Sequence, residues 1–183
     1  MRESIENKDF KWVVSRDNFL SQTEVSNIIK TIKVGELQYM ADVETSDVAV
    51  DIIDSNIIGK LWKFIKIANE LYWKFNINCI QGNKLFGKYY DEETFTESDF
   101  PHSDFAPGKN YTWDYLNTTT KLTALVFLND SYEGGELRVW DTKVKPEVGK
   151  LVIFPSFAAH QVCKFKGDDR YVLIGWAQGD HFV

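Results

Sequence analysis

After Asn76 the chain breaks into seven short apolar runs, at 79–81, 84–90, 121–128, 135–140, 151–154, 161–165 and 171–176, punctuated by Gly, Pro, Asn and Asp. Runs of this length between turn-forming residues read as strands. Many short strands joined by turns fold as a β-sandwich or a jelly roll. The residues before Asn76 follow a different period. Phe10-Lys11-Trp12-Val13-Val14 reads as a first strand. Ser21 or Thr23 caps a helix to about Ile32, with Val25, Ile28, Ile29 and Ile32 at helical spacing. A second helix begins near Asp54 or Ser55 and runs to about Phe75. Ile57, Ile58, Leu61, Trp62, Ile65, Ala68, Leu71, Tyr72 and Phe75 give it one wide apolar face. Such stripes dock on a sheet. The expectation is a mainly β fold with flanking helices, its core at about 77–179 and its helical support within about 19–76. At 183 residues and 44% hydrophobic composition, the chain suffices for one well-buried domain, 1–183.

Within the β-rich part, His102 and Asp104 form an H-x-D pair, and His160 follows 58 positions after His102. Side chains alternate across a strand, so His102 and Asp104 can look into one cavity while Ser103 points away. A third ligand must then come from another strand. His160 sits in an apolar run, 150–162, broken by a proline turn. Two neutral imidazoles and one carboxylate make the facial triad of non-haem Fe(II) oxygenases, which leaves coordination positions open for co-substrate and dioxygen.

Arg170 opens the run Arg170-Tyr171-Val172-Leu173-Ile174-Gly175-Trp176, in which alternation puts Arg170, Val172, Ile174 and Trp176 on one face. A guanidinium at the end of an apolar strand needs an anion, and a carboxylate can meet it in a bidentate, charge-assisted pair.

The segments "HSD", "LTALVFLNDSYEGGELRVW", "KPEVGKLVIFPSFAAHQV" and "DDRYVLIGWAQG", in this order and spacing, resemble the Fe(II)/2-oxoglutarate dioxygenases, and most of all their prolyl 4-hydroxylase-like branch. The likeness runs from about Lys84 to Gly179, with a looser match at Phe19-Leu20-Ser21 and the helix after it. It implies a double-stranded β-helix, the cupin-like jelly roll. It further implies that His102, Asp104 and His160 bind Fe(II), that Arg170 holds the distal carboxylate of 2-oxoglutarate, and that Tyr89 lines the co-substrate pocket. Phe127 stands where some relatives carry a tyrosine hydroxyl that helps the basic residue, and Val172 where many carry serine or threonine. Thr123 is the candidate for a replacement hydroxyl.

The implied reaction uses O2 and 2-oxoglutarate, with ascorbate as an addition, hydroxylates an organic substrate and releases succinate and CO2. Halogenating relatives lack the carboxylate that Asp104 supplies. The nucleic-acid demethylase branch carries a second arginine where this chain has Trp176. The substrate implied by the branch is a prolyl or other residue of a protein or peptide; the runner-up is a free amino acid or small metabolite, and a non-catalytic cupin-like binding module ranks below both. The loop 105–120 follows the first two ligands and carries Tyr111 and Trp113, which could clamp a substrate and close over it as a lid. Trp176, and Trp140 at the rim, complete the substrate-contact candidates.

With 21 basic against 27 acidic residues the net charge is −6, against the basic surface that nucleic-acid backbone requires. Cys79 and Cys163 have no metal-ligand spacing and fit a reducing compartment. The start of the chain has no apolar signal region, and no run approaches the ~18 apolar residues of a membrane span. A soluble, cytoplasmic protein is expected.

Overall fold

Both helices form where an apolar stripe meets a cap. Helix α1, Gln22–Val34, opens on a capping box: the Glu24 carboxylate accepts from the Ser21 backbone N–H at 2.6 Å, and the Ser21 hydroxyl accepts from the Glu24 N–H at 3.3 Å. It buries Val25, Ile28 and Ile32. Helix α2, Ser55–Tyr72, is capped by Asp54, whose carboxylate accepts from the N–H groups of Asn56 and Ile57 at 2.9 and 3.1 Å. Its buried face is Ile57, Ile58, Leu61, Ile65 and Ala68. The face is narrower than the sequence suggests, since Leu71 is 65% exposed and Tyr72 43%. The helix stops there because the Asn69 amide takes both the C=O and the N–H of Phe75, at 2.8 and 2.9 Å, while Lys74 turns the chain at φ 58°.

The computed structural model describes residues 10–36, 38–39, 48–93, 95, 101–104 and 118–180. Its strands are β1 (Val14–Arg16), β2 (Gln38–Tyr39), β3 (Val48–Ile52), β4 (Cys79–Ile80), β5 (Leu85–Tyr90), β6 (Thr118–Phe127), β7 (Tyr132–Gly134), β8 (Leu137–Val139), β9 (Thr142–Val144), β10 (Leu151–Pro155), β11 (His160–Val162), β12 (Phe165–Gly167) and β13 (Arg170–Asp180). The first strand begins at Val14 and not at Phe10, because Phe10 and Trp12 leave the ladder to pack edge-on at 4.8 Å. The run 161–165 divides into β11 and β12. Strands β2, β3, β7 and β9 lie outside the runs read from the sequence.

All pairings among the described residues are antiparallel. One eight-stranded sheet has the order β1-β10-β6-β13-β5-β3-β2, with β4 also on β13; β11-β8-β9 and β12-β7 form smaller sheets. Each central strand divides its side chains between two cores. From β6, Leu122, Ala124 and Val126 join the helices, whereas Leu125 and Phe127 face Leu137, Val139 and Val144 of the small sheet. The second core is the interior of a jelly roll, and α1 and α2 brace the large sheet from outside, as the sequence reading expects. Among the described residues no helix is long and apolar enough to cross a membrane.

Helix α1 can approach β5 only because residue 87 is glycine: a Cβ there would stand 2.5 Å from Ile32 Cγ1. Gly87→Ala should therefore destabilise the fold by about 1–3 kcal/mol in urea unfolding. In an Ile32→Ala background, which removes the clashing atoms, the same substitution should cost almost nothing.

Candidate functional site

The two histidines meet through backbone pairing. His102 N–H donates to the His160 carbonyl at 3.0 Å and His160 N–H to the His102 carbonyl at 2.8 Å, a closed antiparallel pair that puts both side chains on one face. Their rings lie 4.3 Å apart. Asp104 N–H donates to the Ser156 carbonyl at 2.9 Å, so the turn after β10 sets the third side chain. His102, Asp104 and His160 bring one ligand atom each to within 4.8 Å of one another. Asp104 Oδ1 stands 4.0 Å from His102 Nε2 and 3.6 Å from His160 Nε2. Ligands cis on one metal stand about 3 Å apart, given bonds of roughly 2.1 Å. A small closure completes the set, and His102, with its side chain 60% exposed, has room to make it.

The orientation of each group is set by its neighbours. His160 Nδ1 lies 3.1 Å from the Ala158 carbonyl, which accepts a hydrogen bond from Nδ1–H and leaves the Nε2 lone pair for a metal. Asp104 Oδ2 is occupied twice, by the Thr123 hydroxyl at 2.6 Å and the Trp176 indole N–H at 3.0 Å. Thr123 has one proton to give, so the buried Ser156 hydroxyl, 3.0 Å away, donates to Thr123. With Oδ2 saturated, Oδ1 is the oxygen turned toward the imidazoles. Two nitrogens and one carboxylate oxygen suit Fe(II), as they suit other first-row divalent ions.

A second polar group lies on the same interior face. Arg170 is 1% exposed, and its guanidinium carbon sits 5.6 Å from the Tyr90 ring and 5.8 Å from the Phe127 ring. Its Nε and Nη2 are buried without a hydrogen-bond partner among the described residues. Burial pushes the guanidinium below its ordinary pKa, yet arginine keeps its charge in proteins. Two orphaned donors on a buried cation fit a carboxylate.

Several residues stand elsewhere than the sequence reading places them. Tyr89 faces the helix side, stacked on Tyr171 at 5.9 Å, and its neighbour Tyr90 faces Arg170. Arg170 pairs with Tyr90 and Tyr171 with Tyr89, which puts Tyr90, not Tyr89, on the face of Arg170. Thr123 is no partner of Arg170: it pairs in the ladder with Trp176 and gives its hydroxyl to Asp104. Trp176 is on the expected face, but its indole packs on Phe86 at 5.0 Å and its N–H serves Asp104, so it supports a ligand instead of offering a free platform. Trp140 is 58% exposed, at φ 55°, stacked on Trp12 at 5.2 Å. It lines a groove of about 400 Å³ that touches His160 but neither His102 nor Asp104. Tyr111 and Trp113, like most of the loop 105–120, lie outside the described residues. Sequence reading passed over Tyr132, whose buried hydroxyl lies within the influence of the Arg170 charge.

Comparison with known proteins agrees with this geometry. Residues 89–178 match the family model described as the 2OG-Fe(II) oxygenase superfamily. A PKHD-type hydroxylase of Prochlorococcus marinus (strain NATL1A) is 28% identical over 173 residues, covering 88% of this chain and 76% of that protein. A PKHD-type hydroxylase of Shewanella sp. (strain MR-7) is 32% identical over 127 residues, covering 66% of this chain and 54% of the relative. Among solved structures, the viral collagen prolyl hydroxylase of Paramecium bursaria Chlorella virus-1 in its 2OG complex superposes with a TM-score of 0.69 at 16% identity, covering 92% of this chain and 97% of the other. A Pseudomonas putida prolyl-4-hydroxylase gives 0.65 at 18% identity, covering 93% and 94%. With its triad assembled on a jelly roll and residues 89–178 matching the family model, the chain is similar to the 2OG-Fe(II) oxygenase superfamily, and it shares the fold of the solved prolyl hydroxylases.

Proposed function

We propose that this oxygenase hydroxylates a residue of an extended peptide, proline first among the candidates, with His102, Asp104 and His160 holding Fe(II) and Arg170 holding the distal carboxylate of 2-oxoglutarate. The observation that carries the site assignment is the pair of orphaned guanidinium donors sharing one apolar interior with a triad whose free carboxylate oxygen faces two imidazoles. When bound, Fe(II) and 2-oxoglutarate supply the oxidation: one atom of O2 ends in succinate as CO2 is lost, and the other is inserted into a substrate C–H bond.

The chain's own residues place and protect that chemistry. His160 Nε2 is presented by the Ala158 carbonyl behind its ring. Thr123 and Trp176 keep Asp104 to one ligating oxygen, and ligand-orienting hydrogen bonds of this kind typically sustain metal affinity by 10- to 100-fold. Arg170 neutralises a carboxylate where an unpaired charge would cost several kcal/mol. Leu125, Val139, Val152 and Val172 wall the interior and keep water out.

The peptide reading rests on the relatives, called PKHD-type hydroxylases and prolyl hydroxylases, and on the surface beside His160. Trp140 and Trp12 stack there as an open aromatic platform, with Phe157 6.4 Å from Trp12. Aromatic-lined grooves favour polyproline-type segments. Tyr111 and Trp113 are further contacts proposed for the same substrate. The test is turnover of proline-containing peptides against free amino acids, read by mass spectrometry as gain of one oxygen that depends on 2-oxoglutarate. Oxidation of free amino acids alone would replace the peptide with a metabolite.

Two outcomes follow for the site residues. His160→Ala should lose Mn(II) binding in calorimetric titration, whereas Trp176→Phe and Thr123→Ala should each weaken it by roughly tenfold while leaving the fold intact. Arg170→Ala, with metal still bound, should raise the 2-oxoglutarate concentration needed for succinate release by at least about tenfold. Arg170→Lys should do less harm, since it keeps the charge and loses the fork.

A further inference from the structure

The interior next to Arg170 holds a third buried donor without a partner. The Tyr132 hydroxyl, on β7, has no hydrogen-bond partner among the described residues, just as Arg170 Nε and Nη2 have none. The two arginine nitrogens are the side-on fork, which takes one carboxylate with two parallel hydrogen bonds. Each carboxylate oxygen so held keeps a lone pair for another donor. Phe127, the ring 5.8 Å from the guanidinium carbon, has no polar atom to offer it.

The backbone around Tyr132 is shaped to hold its ring. Gly134 and Gly135 follow with φ 83° and 69°, and a Cβ on Gly135 would lie 2.6 Å from Tyr132 Cε2. Any other residue at 135 would displace the phenol. The ring also packs on Phe165 at 5.4 Å, across the pairing of β7 with β12. Burial raises the phenol pKa, opposed by the charge and hydrogen-bonding approach of Arg170; a guanidinium only donates, so that approach engages the phenol oxygen and leaves its proton unspent.

We propose that Tyr132 is the second anchor of the distal carboxylate of 2-oxoglutarate, donating its phenolic proton to an oxygen that Arg170 holds in its side-on fork. This rests on the reading of Arg170 as the first anchor. Tyr132 thereby supplies from β7 the hydroxyl that Phe127 lacks on β6, and the Tyr-x-Gly-Gly segment 132–135 is part of the co-substrate site.

The experiment is calorimetric titration of the Mn(II)-loaded protein with 2-oxoglutarate and with 2-oxobutyrate, which keeps the keto acid and lacks the distal carboxylate. Tyr132→Phe should weaken 2-oxoglutarate by about tenfold, the effect of one hydrogen bond to a charged group, and leave 2-oxobutyrate unchanged. Without ligand it should melt no lower than the parent, because it removes a buried hydroxyl that has no partner. Equal losses for both ligands, an unchanged 2-oxoglutarate affinity, or a melting temperature lowered in the ligand-free protein would each overturn the role of Tyr132. Arg170→Ala separates the two levels. If it too leaves 2-oxoglutarate binding unchanged, the anion-pocket reading fails; if it weakens binding while Tyr132→Phe does not, only the inference fails.

Discussion

The antiparallel register between β6 and β13 is the constraint on which the site depends. It sets Trp176 opposite Thr123, the two side chains that close on Asp104 Oδ2, and Val172 opposite Phe127 beside Arg170. A slip of β13 by one residue would carry Arg170, Val172 and Trp176 to the helix side of the sheet. The slip is resisted on both faces. Leu122, Ala124 and Val126 are held under α1 and α2, and Leu125, Phe127 and Val172 under the small sheet, so a shifted β13 would bury Arg170 among aliphatic groups with no anion in reach.

The polar residues of the interior consequently form two groups with different demands. Asp104 has one oxygen, Oδ2, filled by two donors, and its other oxygen, Oδ1, turned to the two imidazoles. Arg170 and Tyr132 are left with donors unspent. A fold that saturates one carboxylate oxygen and leaves a cation open nearby is built to receive an anion, and the proposed chemistry needs both conditions in one water-poor chamber. The aromatic surface around Trp12 and Trp140 lies outside that chamber, where a substrate too long to enter it could lie.

Much of this was legible in the residues. The i, i+2 spacing of His102 and Asp104 and the alternation through Arg170 and Trp176 follow from the period of a strand, and Ser21 and Asp54 announce their helices by their capping chemistry. Other features turn on facts that one sequence does not carry. Tyr89 and Tyr90 are adjacent and chemically alike, in a strand whose residues 85–88 are all buried, so no alternation of polarity tells which ring faces Arg170. Thr123 reads as an ordinary strand residue until pairing with β13 brings it to Asp104. The hydroxyl of Tyr132 arrives on a three-residue strand, and its only trace in the sequence is the pair of glycines that make room for its ring.

The central claim is that one face of this jelly roll holds a metal by Asp104 Oδ1 and two imidazoles, with an anion fixed on Arg170. The most direct measurement is a crystal structure of the protein with Mn(II) and 2-oxoglutarate. Metal should be bonded to His102 Nε2, His160 Nε2 and Asp104 Oδ1, with Oδ2 still held by Thr123 and Trp176 and the distal carboxylate in the Arg170 fork. Metal bound through both Asp104 oxygens, or 2-oxoglutarate seated away from Arg170, would contradict that claim.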